Sequence, residues 1–559
     1  MIRRETVSGA LAAAASTTRG IRAIEHDGRT FFLSYDALLA ESLLIAGALL
    51  AAGLQTGDRV ALIVPEVCDF IRAFFGISAA GLVPVPLVPP AQAGDVPTFA
   101  RQSRHVLAAS RAAALVTTGD VAPLIERSGS APHSAVFTLD HLRRGPALTE
   151  PAPVATGATA LLQFTSGSTA DPKGVILTHA NLHANVTAIA GPQGLAVVPS
   201  DVGISWLPLY HDMGLIGMLL TAVYAQVDAV IMSPVLFLKR PTAWLEAVST
   251  YRGTISFAPN FAYDLCLRRV KPSQIDALDL SSWRIAGCGA EPIRPDSLGA
   301  FAARFARAGF HASSFVPSYG LAEHSLAVTL ARDGVQVDSV DASRLVRESL
   351  AVAVVNGAAA STPVVRVVGC GRPFLHHEVD IVDEEDRHLP ERHVGRIVAR
   401  GPSVMAGYFE DPGSTAEALR GNWLQTGDIG YMAGGQLYVC GRTKDLIIRQ
   451  GRKYHPPDLE SAIAEVRGIP VSGVVVFGIS RLEQDDQVVA VLEARASLRS
   501  DNIEDHVRRR VQETAGLVLD RVVVTPPGTI PRTTSGKVRR AETRARFEAG
   551  TLLSGGREL

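Results

Sequence analysis

From Gln163 to His179 the chain reads QFTSGSTADPKGVILTH, which sets the hydroxyls of Thr165, Ser166, Ser168 and Thr169 around Gly167 and then places Pro172, Lys173 and Gly174. Backbone N–H groups in such a turn, helped by hydroxyl donors and one ammonium, can surround phosphate oxygens without a deep cationic patch. The stretch is not a Walker A loop. That motif needs Gly-Lys followed by Ser or Thr, whereas here Pro172 precedes Lys173 and Gly174 and Val175 follow it. A plain polar turn leading to a helix capped by Thr178 fits the same residues, so local chemistry leaves both readings open. Other candidates are equally two-sided in isolation. His211 suits a satisfied core histidine, TGD at 426–428 and GR at 441–442 are ordinary turn signals, and Lys537 fits a solvated loop beside Arg539 and Arg540.

The elements that must position these residues alternate. A strand is expected over 31–33, an apolar-rich helix over 36–52 stopped by Gly53, a strand over 59–64 and a helix over 68–80. Strand and helix in turn argue for layered α/β subdomains with parallel sheets. From about 364 to 403 short strands separated by polar turns point to a small β subdomain. Within it Asp383 to Asp386 reads as a solvated hairpin turn rather than a metal site, and His376 and His377 would face opposite ways on a strand. The segment 330–373, with its Gly/Ala/Ser cluster near 357–361, reads as a surface insertion. A boundary near Gly441 divides a large N-terminal domain, 1–441, from a small α+β domain, 442–559. No internal repeat is evident.

Bulk properties narrow the field. The 559 residues carry Lys+Arg 54 against Asp+Glu 55, so no global field draws the chain to nucleic acid or an acidic membrane, and an anionic ligand must be held by local geometry. Cys68, Cys266, Cys288, Cys370 and Cys440 lack metal-ligand spacing and read as reduced structural thiols of a cytoplasmic protein. The N-terminal arginines and alanine run fit an ordinary helix better than a secretory signal. No run approaches the roughly 20 apolar residues needed to span a bilayer.

TSGSTADPKG resembles the phosphate-binding signature of the adenylate-forming superfamily of acyl-CoA synthetases, peptide-synthetase adenylation domains and luciferases, departing from it at Ala170, where glycine is usual. Further matches follow in that family's order: WLPLYHDMG from Trp206, GAEPI from Gly289, SYGLAE from Ser318, QTGD from Gln425, GRTKD from Gly441 and PRTTSGK from Pro531. The resemblance covers nearly the whole chain. It implies a large adenylating domain followed by a small mobile one, with ATP and Mg²⁺ as cofactors.

It also implies roles. Thr165, Ser166, Gly167, Ser168, Thr169 and Lys173 would hold phosphates, and Glu323 with Thr165 would hold Mg²⁺. Tyr319 would stack on adenine beside Gly289 and Ala290, with Glu291, Ser318 and Gly320 in the same two nucleotide-binding motifs. Asp428 would accept from the ribose hydroxyls, and Arg442 would touch the same sugar. His211 would border the acyl site. Lys537 would span the attacking carboxylate and the α-phosphate and stabilise charge in the transition state, while Lys444 occupies the hinge position.

Within the superfamily the stretches PVPLVPP, SWLPLYHDMGLIG, APNFAYDLCLRR and QGRKYHPPDLE resemble fatty acyl-AMP ligases. Those ligases carry extra residues at the position of 330–373, thought to hamper the domain movement that CoA thioesterification needs. Gln450-Gly451-Arg452-Lys453 also stands where many CoA synthetases have Gly-Gly before lysine. Both features point to a fatty acid substrate and an acyl carrier protein, or a polyketide or peptide synthase carrier domain, as acceptor. A fatty acyl-CoA synthetase is the alternative within the class, and a catalytically silent nucleotide-binding or carrier-docking protein the alternative outside it. Burial of about 0.8 kcal/mol per CH₂ would favour medium and long chains in a deep pocket, which residues 260–263 are expected to border. Arg508, Arg509 and Arg510 read as a solvated helix face, with docking of an acidic carrier as the other possibility.

Overall fold

A computed structural model of the chain describes residues 4–90, 96–129, 135–164, 172–354, 363–449, 452–466, 473–481, 484–494, 503–532 and 538–552. The alternation expected near the N-terminus is present: strand Thr30–Ser34 runs directly into helix Tyr35–Ala51, and strand Arg59–Ile63 is followed by helix Val67–Ala79. The latter helix buries Phe70, Ile71, Phe74, Phe75 and Ile77. Its first N–H groups would be orphaned in that apolar setting. The buried carboxylate of Glu25 accepts them, from Val67 at 2.9 Å and Cys68 at 3.0 Å.

Two sheets form the layers. One has the strand order Val83–Pro86, Arg59–Ile63, Ala114–Thr117, Ala135–Thr138, all parallel. The larger contains parallel strands Phe315–Gly320, Ile285–Cys288, Ile255–Ala258, Val202–Ser205, Asp228–Met232 and Gly20–Ile24, closed at its edges by antiparallel partners. A parallel sheet needs both faces covered, and an aromatic core helps supply that cover: Trp244, Tyr263, Trp283 and Phe301 meet edge to face at centroid distances of 5.0 to 6.3 Å. Ligands of such sheets collect beyond the carboxyl ends of the strands. Those ends lead here into Gly289, Ser318 to Gly320 and Trp206 to His211, residues that the sequence motifs single out.

A three-stranded sheet lies alongside, with Gly174–Thr178 between Thr159–Phe164 and Gly407–Tyr408. Helix His179–Ala190 starts at the capping box expected at Thr178, whose hydroxyl accepts from Asn181 while the Asn181 side chain accepts from Thr178. A strand, rather than loop alone, therefore separates Lys173 from that cap. Strands Glu378–Val382, Gly395–Arg400, Trp423–Ala433 and Gln436–Arg442 make the β subdomain. Asp383 and Asp386 lie in its hairpin turn, paired with Arg387 and Arg396. His376 and His377 sit in a turn, not on a strand. His376 takes φ +63° and is exposed, while His377 is buried with Nε2 2.6 Å from Ser403 Oγ.

The segment 330–373 is more than surface. Strands Val337–Asp341 and Val364–Val368 pair antiparallel, and Val340, Leu345, Ala351 and Val367 are buried against Tyr431 and Tyr438. Val365 and Val367, two apart on the second strand, provide the apolar face that a short insertion would otherwise lack. The Gly/Ala/Ser cluster at 357–361 lies outside the described residues. Beyond Ile447 the buried residues pack mainly on one another, around strands Val474–Arg481, Gln484–Glu493 and Arg521–Thr525 and helices Pro456–Ala464 and Ile503–Ala515. All five cysteines are buried and free, and burial pushes the Cys68 thiol up to about 11. Among the described residues no helix is long and apolar enough to cross a membrane.

Two stability predictions follow from buried polar groups. Arg540 reaches Asp445 at 2.5 Å and Glu460 at 2.8 Å with its side chain 19% exposed. Arg540→Met leaves two largely buried carboxylates unpaired, a loss of about 3–5 kcal/mol, to be read as accelerated amide exchange in helix Arg540–Glu548 and strand Val474–Arg481. Unchanged exchange contradicts it. His179 is buried, accepts from the Val7 N–H at 3.2 Å through Nδ1, and is held down to about 4 by burial. The unfolded chain takes up this proton first, so the contribution is complete above about pH 6.5 and shrinks as pH falls toward 4. Between pH 6.5 and 5 the wild type should lose about 2 kcal/mol relative to His179→Gln in urea unfolding; parallel curves contradict the assignment.

Candidate active site

The strand ends, the three-stranded sheet and the β subdomain meet around one cavity of about 510 Å³. Lys173, His211, Ala290, Ser318, Tyr319, Gly320, Glu323, Asp428, Arg442 and Lys444, all sequence candidates, line it. Residues from 173 to 444 thus converge on one space, although no two of their motifs are neighbours in the chain.

The loop after strand Ile285–Cys288 lies close to Ser318. A Cβ on Gly289 would lie 2.5 Å from Ser318 Oγ, so glycine is required for that approach. Ala290 follows at φ +69°, a left-handed backbone that a non-glycine residue adopts only under constraint. Glu291 is directed elsewhere, its Oε1 accepting from the Phe261 N–H at 2.6 Å. Neither Gly289 nor Glu291 is part of the cavity lining. The Tyr319 hydroxyl donates to Asp428 Oδ2 at 2.6 Å, and Arg442 Nε lies 3.4 Å from Oδ1. Burial raises both the Tyr319 hydroxyl and the Asp428 carboxyl above their ordinary ranges, with Arg442 opposing the rise at each. Strand register explains the pair, because Asp428 and Arg442 face each other across neighbouring strands.

On the opposite wall Glu323 sits in the short 3₁₀ turn Ala322–His324, where its Oε1 accepts from the Tyr408 hydroxyl at 2.9 Å. Burial pushes its carboxyl up, and the nearby Asp212 adds to the rise. A desolvated carboxylate of this kind is a fitting protein ligand for a Mg²⁺ ion that takes further oxygens from phosphates and water. Among the described residues no cluster of three or more His, Cys, Asp or Glu could hold a metal. Lys173 donates to Ser414 Oγ at 2.6 Å and lies 5.0 Å from the centre of the Tyr408 ring. His211 Nδ1 is 2.5 Å from Asp212 Oδ1, and Asp212 also caps the wide-turned helix Met213–Leu220 by accepting from the Met213 N–H. Gln163, near the end of strand Thr159–Phe164, donates to the Tyr210 carbonyl at 3.0 Å and so ties that strand to the His211 segment.

Thr165, Ser166, Gly167, Ser168, Thr169 and Lys537 lie outside the described residues. Residues 260–263 do not line the cavity. Tyr263 is locked into the aromatic core and donates to Gly287 O at 2.8 Å, while Asn260 Oδ1 accepts from the Arg294 N–H. The apolar wall is built from Met213, Phe257, Ile189 and Leu326 instead. Sequence reasoning missed Tyr408, Ser414, Asp212 and Gln163. Asp212 and Gln163 carried a local signal, the first as neighbour of His211 in YHDMG and the second at the head of QFTSGST.

Comparison with known proteins agrees with this geometry. The AMP-binding enzyme family profile matches residues 11–409, and that of the Disco-interacting protein 2-like AMP domain matches 444–554. A Caulobacter vibrioides protein provisionally named an acyl-CoA synthetase is 37% identical, with 98% of this chain and 96% of that one aligned. The medium-chain-fatty-acid–[acyl-carrier-protein] ligase JamA of Moorena producens is 32% identical over 93% of this chain and 90% of its own. Among solved structures, one from a study of fatty acyl-adenylate ligases from E. coli and L. pneumophila superposes with TM-score 0.91 at 37% identity, covering 98% of this chain and 99% of that one.

Because Asp428 is the one buried carboxylate held between Tyr319 and Arg442, Asp428→Asn is expected to weaken binding of adenine nucleotide about tenfold in calorimetry, the scale of a hydrogen bond to a charged group. Wild-type affinity in the variant contradicts that role.

Proposed function

This chain belongs to the AMP-binding enzyme family, and we propose that it activates a fatty acid with ATP and hands the acyl group to a carrier protein. In the first step a carboxylate oxygen attacks the α-phosphorus, the α–β phosphoanhydride bond breaks, and pyrophosphate leaves with the bonding pair. In the second the phosphopantetheine thiolate attacks the acyl carbon and AMP departs with the carboxylate oxygen. The observation that carries this reading is the single cavity in which Lys173, Glu323, Tyr319, Asp428 and Arg442 meet.

The roles join this geometry to the motif resemblance. The hydroxyl-rich loop 165–169 and Lys173 receive the phosphates. Glu323, with Thr165, holds Mg²⁺, which when bound offsets phosphate charge. Tyr319, Ala290, Ser318 and Gly320 form the adenine side, with Gly289 permitting the close approach to Ser318. Asp428 and Arg442 hold the ribose, and His211 borders the acyl site. Glu291 supports the adenine side only indirectly, through Phe261. A division at 441/442 lets the part beyond Lys444 rotate and deliver Lys537 to the carboxylate and α-phosphate, where its charge matters most.

Support for a carrier protein comes from segment 330–373. Its helix Ala342–Glu348 touches strand Arg452–Tyr454 and helix Ile503–Ala515, and Val346 packs on the C-terminal core. Such a tether resists the rotation needed to admit CoA. JamA is named a fatty-acid ligase acting on acyl carrier protein, which favours the same acceptor. The acyl-CoA synthetase naming of the Caulobacter relative favours CoA as a second reading.

With ATP, a fatty-acid panel, CoA and a phosphopantetheinylated carrier protein all present, mass spectrometry should find acyl carrier protein and no more than traces of acyl-CoA; the reverse distribution contradicts the acceptor assignment. Lys537→Ala should lower adenylate formation at least about a hundredfold, the scale of losing an electrostatic transition-state donor, while ATP binding persists. Near-normal pyrophosphate release by that variant refutes the lysine's role.

A further inference from the structure

Residues 405–409 run between the two oppositely charged groups of the cavity and are fastened to both. The Met405 N–H donates to the Glu323 carbonyl at 2.9 Å, the Ala406 N–H to Ile176 at 3.0 Å, and the Phe409 N–H to Gly174 at 2.8 Å. Gly174 directly follows Lys173. One short strip therefore fixes the turn carrying Glu323 at one end and the strand carrying Lys173 at the other. Gly407 lies at φ +145°, and a Cβ there would stand 2.8 Å from Thr415 Cγ2, so the strip also lies hard against helix Pro412–Ala418. The Thr415 hydroxyl accepts from the Tyr408 N–H at 2.9 Å, and Asp411 Oδ1 accepts from the Ser414 N–H at 2.9 Å. These bonds place Ser414 Oγ where Lys173 meets it.

Tyr408 spans the gap itself. Its hydroxyl donates to Glu323 Oε1 and its ring lies beneath Lys173 Nζ. An ammonium and a carboxylate sharing one desolvated cavity attract each other strongly. Paired directly, each would cancel the other's value for a triphosphate and its cation. Here they make no ion pair with each other: the carboxylate is bonded to the phenol, the ammonium to Ser414 and the ring face. We propose that Tyr408 is a positioning residue for nucleotide activation, a spacer that holds Glu323 and Lys173 apart and aims the carboxylate at the cation accompanying the triphosphate. The inference rests on the nucleotide reading of the cavity. A merely structural Tyr408 would be a buried aromatic whose hydroxyl has found a convenient acceptor.

Tyr408→Phe and Tyr408→Ala in the full chain separate the two readings, because phenylalanine keeps the ring under Lys173 and deletes one oxygen. ATP binding is measured by calorimetry with excess Mg²⁺ and again with the metal chelated. Tyr408→Phe should bind Mg·ATP about tenfold more weakly and metal-free ATP as the wild type does. Tyr408→Ala should weaken both, since the cation–π contact is also lost. In pyrophosphate exchange Tyr408→Phe should lower kcat and leave the KM for fatty acid unchanged. Wild-type affinity for Mg·ATP in Tyr408→Phe, or equal weakening with and without metal, overturns the proposal. Should Tyr408→Ala fail to fold, the phenylalanine variant decides alone. A wild type that binds Mg·ATP yet exchanges no pyrophosphate with any fatty acid would sink the proposed function and leave the binding comparison intact.

Discussion

The cavity depends on keeping the Lys173 ammonium and the Glu323 carboxylate in one space without pairing them. Lys173 and Glu323 face one desolvated space, with Asp428 buried a short way off. Burial alone would push the two carboxyls toward their neutral forms, as their raised protonation ranges indicate. The protein meets this with local donors. Tyr408 donates to Glu323 and Tyr319 to Asp428, so each carboxylate is met by one phenol. The result is a preorganised field in which the Glu323 carboxylate calls for positive charge and the Lys173 ammonium for negative charge. A triphosphate with its divalent cation answers both demands at once.

Everything else serves to hold that field in place. Parallel strands deliver Ser318 to Gly320, the 289–290 loop and the 206–211 segment to one edge of the large sheet, as open α/β architecture requires. The small three-stranded sheet sets Tyr408 opposite Val175, two residues beyond Lys173, and the β subdomain contributes Asp428 opposite Arg442. Arg442 and Lys444 stand at the exit to the C-terminal part, so the strand that ends at Arg442, on the proposed ribose side, is also the one that leads to the proposed hinge.

Much of this was legible in the sequence, for a physical reason. The residues proposed to meet phosphate and ribose stand in short glycine-containing motifs whose chemistry is local, and Thr178 caps its helix as its residue type alone suggests. Tyr408 and Ser414 were not legible, since their partners lie 85 and 241 residues away and neither sits in a distinctive turn. Residues 260–263 looked like pocket wall because a polar–aromatic stretch fits either setting. The packing demands of Trp244, Phe301 and Phe315 drew Tyr263 into the core. In the 330–373 segment, small residues near 357–361 drew attention from Val365 and Val367, which pack its second strand on Tyr431 and Tyr438.

The account's central claim is that the carboxylate oxygen itself attacks the α-phosphorus inside this cavity. Isotope transfer tests it most directly: fatty acid labelled with ¹⁸O at both carboxyl oxygens is turned over with ATP and carrier protein, and the released AMP is weighed by mass spectrometry. The account predicts that AMP carries one heavy oxygen from each acyl group transferred. Unlabelled AMP, or ADP and phosphate in its place, would show that the acid is not activated as a mixed anhydride with AMP, and would contradict it.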